Sequence, residues 1–328
     1  MSVTRAQRIS RAIGSRGLGL RDRRLAGAVT AAGAQRALRE AREDAVPASA
    51  GLWGDLGGTD IAVAIDGGRM NIRTARPGRV AADRSRHGHH TDWREPRLHI
   101  ICEVGKRGRL PRGGRQPAGG TLGSPDGLTA LPAADLRRVG AASARRVTFH
   151  GDGAVRIRGR VYAIAEAAGI PAGKCARCLD FHHAVRHPAV FAEHAGFRDT
   201  CEHARWLDGL KRFMMTGSTD AVIGAITERI GGRRPGRESR GVRETELRYF
   251  ERNRDGLTHA LSGAQGLPIG SGSIGSLVRR VVNLRLKGSG MFWKRENAEA
   301  FIHMRCMLKS GNWNTLCEEI WGSREARA

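Results

Sequence analysis

What this chain lacks narrows its function before any motif is read. No apolar run approaches the roughly 18 to 20 residues needed to cross a bilayer, and the N-terminus has no apolar stretch followed by a cleavage site. The chain is therefore expected to be cytoplasmic, with no membrane partner. Its six cysteines, Cys102, Cys175, Cys178, Cys201, Cys306 and Cys317, are too sparse and uneven for a disulfide framework in 328 residues. They read as reduced thiols. Acids are scarce too: 32 Asp and Glu face 56 Lys and Arg, for a net charge of +24. Arginine supplies most of the excess, and its forked guanidinium suits phosphate oxygens, so nucleic acid is the expected partner. The glycine-rich GSGSIGS at 270–276 lacks the lysine and following Ser or Thr of a nucleotide phosphate loop, which argues against ATP binding. Cys175, Cys178, His183 and His187 give CxxC and HxxxH, but only four residues separate Cys178 from His183. Zinc fingers place about a dozen there, so zinc is disfavoured.

With 40% hydrophobic residues the chain can bury a sizeable core. Residues 1–57 are basic, with a weak helical pattern over Leu25 to Arg42 and few large apolar side chains, which predicts poor order. Short apolar runs at Ile61 to Asp66, Leu98 to Val104, Arg146 to Asp152 and Lys174 to Asp180 predict strands. Leu128 to Val139 and Arg158 to Ala168 predict helices, and His182 to Leu261 is helical in period with breaks near Pro188, Gly217 and Gly231 to Gly236. The stretches from Arg73 to Trp93 and from Gly105 to Gly127 read as long basic loops. His87, His89 and His90 fall in the first of these, beside Arg84, Arg86 and Arg94, either solvated or touching phosphate. The pattern implies an α/β core carrying an all-helical insertion.

Asp66, Asp152 and Asp180 each end an apolar strand-like run, and Gly follows the first two. Asp-Gly alone is a common turn dipeptide. Carboxylates brought from separate strands are also what two-metal phosphoryl transfer needs, because paired ions must clamp both attacking and leaving oxygens. Near the C-terminus, Gly270 to Gly272 opens a helix in which Ile274, Leu277, Val278, Val281, Val282 and Leu284 are apolar. Arg279, Arg280, Arg285 and Lys287 are its cations, suited to phosphates. Trp293 and Trp313 follow, either packed in the core or stacked on an unpaired base.

Together these segments resemble the DDE transposases of bacterial insertion sequences related to the Mutator class. The resemblance runs from Ile61 to Trp313 and rests on AIDGGRMNIR at 64–73, DWREPRLHII at 92–101, FHGDGAV at 149–155, LDFHHAVRH at 179–187, ELRYFERNR at 246–254 and the run from GLPIGSG to GNW at 266–313. It implies an RNase H-like mixed sheet with an all-helical insertion before the last catalytic helix. The parts would be a basic segment 1–57, a core 58–186, a helical insertion 187–264, closing helices 265–315 and a tail 316–328. It further implies DNA ends and target DNA as partners, a homo-oligomer on DNA, and Mg²⁺ or Mn²⁺ held by Asp66 and Asp152, with Asp180 and His183 beside them. Arg279, Arg280, Arg285, Lys287 and Trp293 would contact DNA. Where the family has a metal-binding glutamate after GSG, this chain has Gly275. Glu296 and Glu299 lie some twenty residues further on and are not expected to replace it. Residues 1–57 show neither a helix-turn-helix nor a zinc pattern, so the region before the core reads as shorter than in relatives. The resemblance thus implies a strand-cleaving and strand-joining protein impaired at Gly275. The alternative is a DNA-binding relic, or an inhibitor of an active relative, with no catalysis.

Overall fold

The computed structural model describes residues 7–23, 25, 54–77, 88–110, 116–123, 125–195, 197, 199–217, 219–231 and 237–325. The fold is mixed α/β. Its central sheet holds β1 (Asp60–Gly67), β4 (Arg97–Glu103), β5 (Ala118–Thr121), β6 (Arg146–Gly151) and β7 (Cys175–Leu179), in the order β5-β4-β1-β6-β7. The strands β1, β6 and β7 run parallel, while β4 and β5 alternate in direction beside them. β1 reads DIAVAIDG, with no polar alternation over its middle, because a central strand is covered on both faces.

Each face has its own core. Ile61, Val63, Ile65, Val147 and Phe149 pack beneath α2 (Pro125–Arg138) and α4 (Val161–Ala167). On the other face Ala64, Leu98, Ile100 and Cys102 meet α10 (Gly272–Val278), its continuation as a π turn at Arg279–Asn283, and α11 (Arg295–Lys309). Val282 of the π turn lies so close to the turn after β1 that a Cβ on Gly68 would stand 2.8 Å from its Cγ1. Glycine there lets the helix seat directly over the end of β1.

Beyond β7 the chain is helical: α5 (Phe181–Glu193), α6 (Thr200–Thr216), α7 (Thr219–Gly231), α8 (Arg237–Arg252) and α9 (His259–Ala264). Phe191, Leu210, Met214, Val222, Ile226 and Phe250 give this block a third core. The break at Gly217 occurs as predicted, with that glycine at φ 79° capping α6. The break at Pro188 does not: α5 runs through it, with the ring buried.

Other segments depart from the sequence reading. Residues 7–23 form a helix, α1, whose Ile13 and Leu20 pack on the first core and whose Arg21 pairs with Glu299 at 3.0 Å. The periodic stretch Leu25 to Arg42 lies outside the described residues apart from Leu25. Residues 316–325, expected to be a tail, belong to α12 (Trp313–Glu325), with Leu316 and Ile320 buried. The first supposed loop holds a hairpin, β2 (Met70–Ala75) with β3 (His89–Arg94), so His89 and His90 stand on a strand, while His87, Arg84 and Arg86 lie outside the described residues. β5 falls in the second supposed loop; its sequence AGGT offers no apolar alternation to detect. Among the described residues, no helix is long and apolar enough to cross a membrane.

Candidate carboxylate site at the strand ends

The parallel register sets the site. Ala64 is level with His150, and Gly151 with Leu179. Continuing each ladder brings Asp66, Asp152 and Asp180 to one edge of the sheet, on strands about 4.8 Å apart. Asp66 and Asp152 are half-buried. One oxygen of each is occupied locally: Asp66 Oδ1 accepts from Gly67 N at 2.6 Å, and Asp152 Oδ1 from Ala154 N at 2.8 Å. Burial, followed by repulsion from Asp152, raises the Asp66 pKa above the ordinary carboxylate value, against the Gly67 hydrogen bond and the nearby His183 and Arg97.

Asp180 has a different task. It is the N-cap of α5, accepting from His183 N at 2.6 Å, and it also accepts from Ser271 N at 2.5 Å and from the Ser271 hydroxyl. Burial alone would raise its pKa, but the Ser271 and His183 hydrogen bonds outweigh that and hold it below the ordinary value. Asp180 therefore works as a clasp, fixing the Gly270–Ser271 turn, and with it the start of α10, to the end of β7.

Gly275 lies one turn into α10, donating its N–H to Ser271 O at 3.3 Å. It is exposed, and a Cβ built there meets nothing within 4 Å. No packing requirement accounts for the glycine.

The helical block adds Tyr249 and Glu246 to this edge, which sequence reasoning did not single out, and brings His187 to them. Tyr249 on α8 donates its hydroxyl to the Asp152 carbonyl at 3.0 Å, and its pKa is raised by burial and then by Asp152, Asp180 and Glu246. His187 stacks on the Tyr249 ring with centroids 3.4 Å apart, and its Nδ1 lies 2.6 Å from Glu246. Burial lowers the His187 pKa despite that carboxylate. His183 lies between this group and Asp66, its ring 5.3 Å from His187. The spacing of Glu246 and Tyr249, three apart on a helix, was the one available signal that they share a face.

The other candidate residues differ in their settings. Arg279, Arg280, Arg285 and Lys287 are all exposed. Trp293 is partly buried against the second core, with Phe301 at 5.4 Å. Glu299 is committed to Arg21 and to Leu122 N, the latter at 2.6 Å. Cys175 and Cys178 stand three apart on β7 and so point to opposite faces, which keeps a CxxC pair from converging on zinc. No group of three or more His, Cys, Asp or Glu converges as a metal cluster among the described residues.

Compared with protein-family models, curated proteins and solved structures, the chain matches none.

Proposed function

We propose that this chain is a DNA-strand-processing protein of the DDE transposase type, with an RNase H-like core, in which the catalytic centre is incomplete at Gly275. The observation that carries the reading is the meeting of Asp66 and Asp152 at the ends of adjacent parallel strands, beside the helix that bears Gly275. The sheet order β5-β4-β1-β6-β7, three antiparallel strands followed by two parallel ones, and the helical block before α10 support the same assignment. The charge of +24 supports DNA as the partner.

The two carboxylates, mutually repelling and with no ion-pair partner among the described residues, suit one divalent cation such as Mg²⁺ or Mn²⁺, which often binds through one or two carboxylates plus substrate phosphates. Bound there, the ion would polarise a phosphoryl oxygen and lower the pKa of water. Asp66 and Asp152 would hold it, and Tyr249 and Asp180 would keep Asp152 and α10 in place. Arg279, Arg280, Arg285 and Lys287 would hold the DNA backbone. A two-ion cage needs a third carboxylate, and Gly275 supplies none. No step of a two-ion reaction is therefore assigned to the chain as it stands.

The second reading, a DNA-binding protein without catalysis, is favoured by the same glycine. Metal-dependent nicking of DNA carrying the flanking element ends separates the two, using the native chain, Asp152→Ala, Gly275→Glu and Gly275→Glu with Asp152→Ala. Nicking by Gly275→Glu alone, abolished by Asp152→Ala, supports an impaired transposase. Nicking by the native chain that also depends on Asp152 overturns the impairment, and silence from every variant favours the non-catalytic reading.

A further inference from the structure

We infer that the outer face of the β2–β3 hairpin, widened by residues 291–294, is a platform on which unpaired bases of single-stranded DNA stack. Strand alternation builds it. Asn71 is level with Trp93, Arg73 with Thr91 and Ala75 with His89, so these side chains share one face. The opposite face carries Met70 and Ile72, both buried in the second core. Residues around Trp293 pair along the free edge of β2, with Trp293 N donating to Asn71 O at 3.0 Å and Arg73 N donating to Trp293 O at 2.9 Å. Trp293 bridges to Ile72 and turns inward with it. Its neighbour Phe292 therefore turns outward.

The contacts on that outer face are all aromatic or cationic. Phe292 lies 4.8 Å from the His89 ring and 5.6 Å from the Arg73 guanidinium, and the Arg69 guanidinium stands 5.9 Å from the Trp93 ring. Trp93 is 52% exposed and Phe292 39%, well above what a core role requires. The paired rungs of this face carry no acid: Asp92 alternates to the other side, where it meets Arg94 and His90 at 3.7 Å, and Glu95 pairs with Arg97.

Charge complementarity selects the occupant. A protein partner seeking an apolar patch would meet guanidiniums between the rings, whereas a duplex would use the cations and leave the rings idle. Unpaired nucleotides use both, with bases on aromatic faces and phosphates on arginine. The platform also leads to the right place, since β2 begins four residues after Asp66. The inference rests on the proposed function only for the identity of the polymer; the face itself is independent of the carboxylates.

The test is binding of a fluorescently labelled oligothymidylate, and of a duplex of equal length, to the full chain and to Trp93→Ala, Phe292→Ala and Trp93→Phe. Loss of one stacked base should weaken oligothymidylate binding about ten-fold or more in each alanine variant, with Trp93→Phe retaining most of it and duplex affinity unchanged. Trp93→Phe preserves a ring at the site, so it guards against loss of folding, and it should remove the quenching of tryptophan fluorescence by the oligonucleotide. Oligothymidylate affinity unchanged in both alanine variants, or an equal loss for oligonucleotide and duplex, overturns the platform while leaving the carboxylate reading intact. If the native chain binds neither DNA, the platform and the DNA partner of the proposed function both fail.

Discussion

Replacing Asp66 by Asn should make the protein more stable near neutral pH, contrary to the usual effect of altering a half-buried polar residue. The Asn side chain still offers an oxygen to Gly67 N, so the 2.6 Å hydrogen bond has a replacement acceptor. What disappears is a charge that burial and Asp152 both oppose. Two unit charges about 5 Å apart at an effective dielectric near 20 repel by roughly 3 kcal/mol. Solvent at this half-buried edge reduces that to about 1 kcal/mol. Because the folded pKa of Asp66 is raised, its stabilising contribution is fully present below the unfolded value, roughly 3.9, and is lost as pH rises through the folded value. The gain from Asp66→Asn should accordingly be seen near pH 7 and vanish in acid. Thermal melts should show the variant about 1 to 2 °C above the native chain at neutral pH. Millimolar Mg²⁺ or Mn²⁺ should raise the native melting temperature and leave Asp66→Asn nearly unmoved, since a ligand at about 100 times its Kd adds about 2.7 kcal/mol. A variant that melts no higher than the native chain, together with equal metal shifts in both proteins, would refute the idea of an uncompensated carboxylate pair.

Asp180→Ala should destabilise by about 2 to 4 kcal/mol, the loss of an N-cap and of charge-assisted bonds to Ser271, measured by urea unfolding. The depressed folded pKa of Asp180 means that its stabilisation is present above about pH 4 and fades as pH falls through the folded value, so the native chain and Asp180→Ala should converge in acid. Gly275→Ala should stabilise by about 0.5 to 1 kcal/mol, because the position is helical and open; a fall in melting temperature would mean the glycine has a packing role the structure does not show. Tyr249→Phe should cost about 0.5 to 1.5 kcal/mol through the lost bond to Asp152 O, and hydrogen exchange should quicken at the amides around Gly153.

β1 was legible in the sequence because burial on both sheet faces removes polar alternation, whereas β4, β6 and β7 were read from apolar residues interrupted by His99, by Thr148 and His150, and by Arg177. β3 was not, since HHTDWR contains no residue that packs in a core and all six are exposed. β2 offered only Met70 and Ile72. Of the site, the strand-end aspartates were readable because each closes an apolar run. The resemblance already set Asp180 apart from Asp66 and Asp152, but its task as a structural clasp was not legible, because only the position of Ser271, ninety-one residues away, commits it to that role. Trp293 and Phe292 show the same limit on a smaller scale. They are adjacent, and a one-residue difference in strand phase turns Trp293 toward the core and Phe292 toward the surface.

Gly275 draws its meaning from the features around it. The Asp180–Ser271 clasp, the glycine at position 68 that admits Val282, and the buried stripe of Ile274, Leu277, Val278 and Val281 all fix α10 over the end of β1. Holding a helix there through several independent contacts is more than a DNA-binding surface alone would need, since exposed arginines bind phosphate without such registration. α10 is thus fixed next to the sheet edge that carries Asp66, and position 275, one turn in from Ser271, has open space for a side chain. On the proposed reading, a glutamate there would be the third carboxylate, and metal-dependent nicking by Gly275→Glu asks whether the position alone is enough.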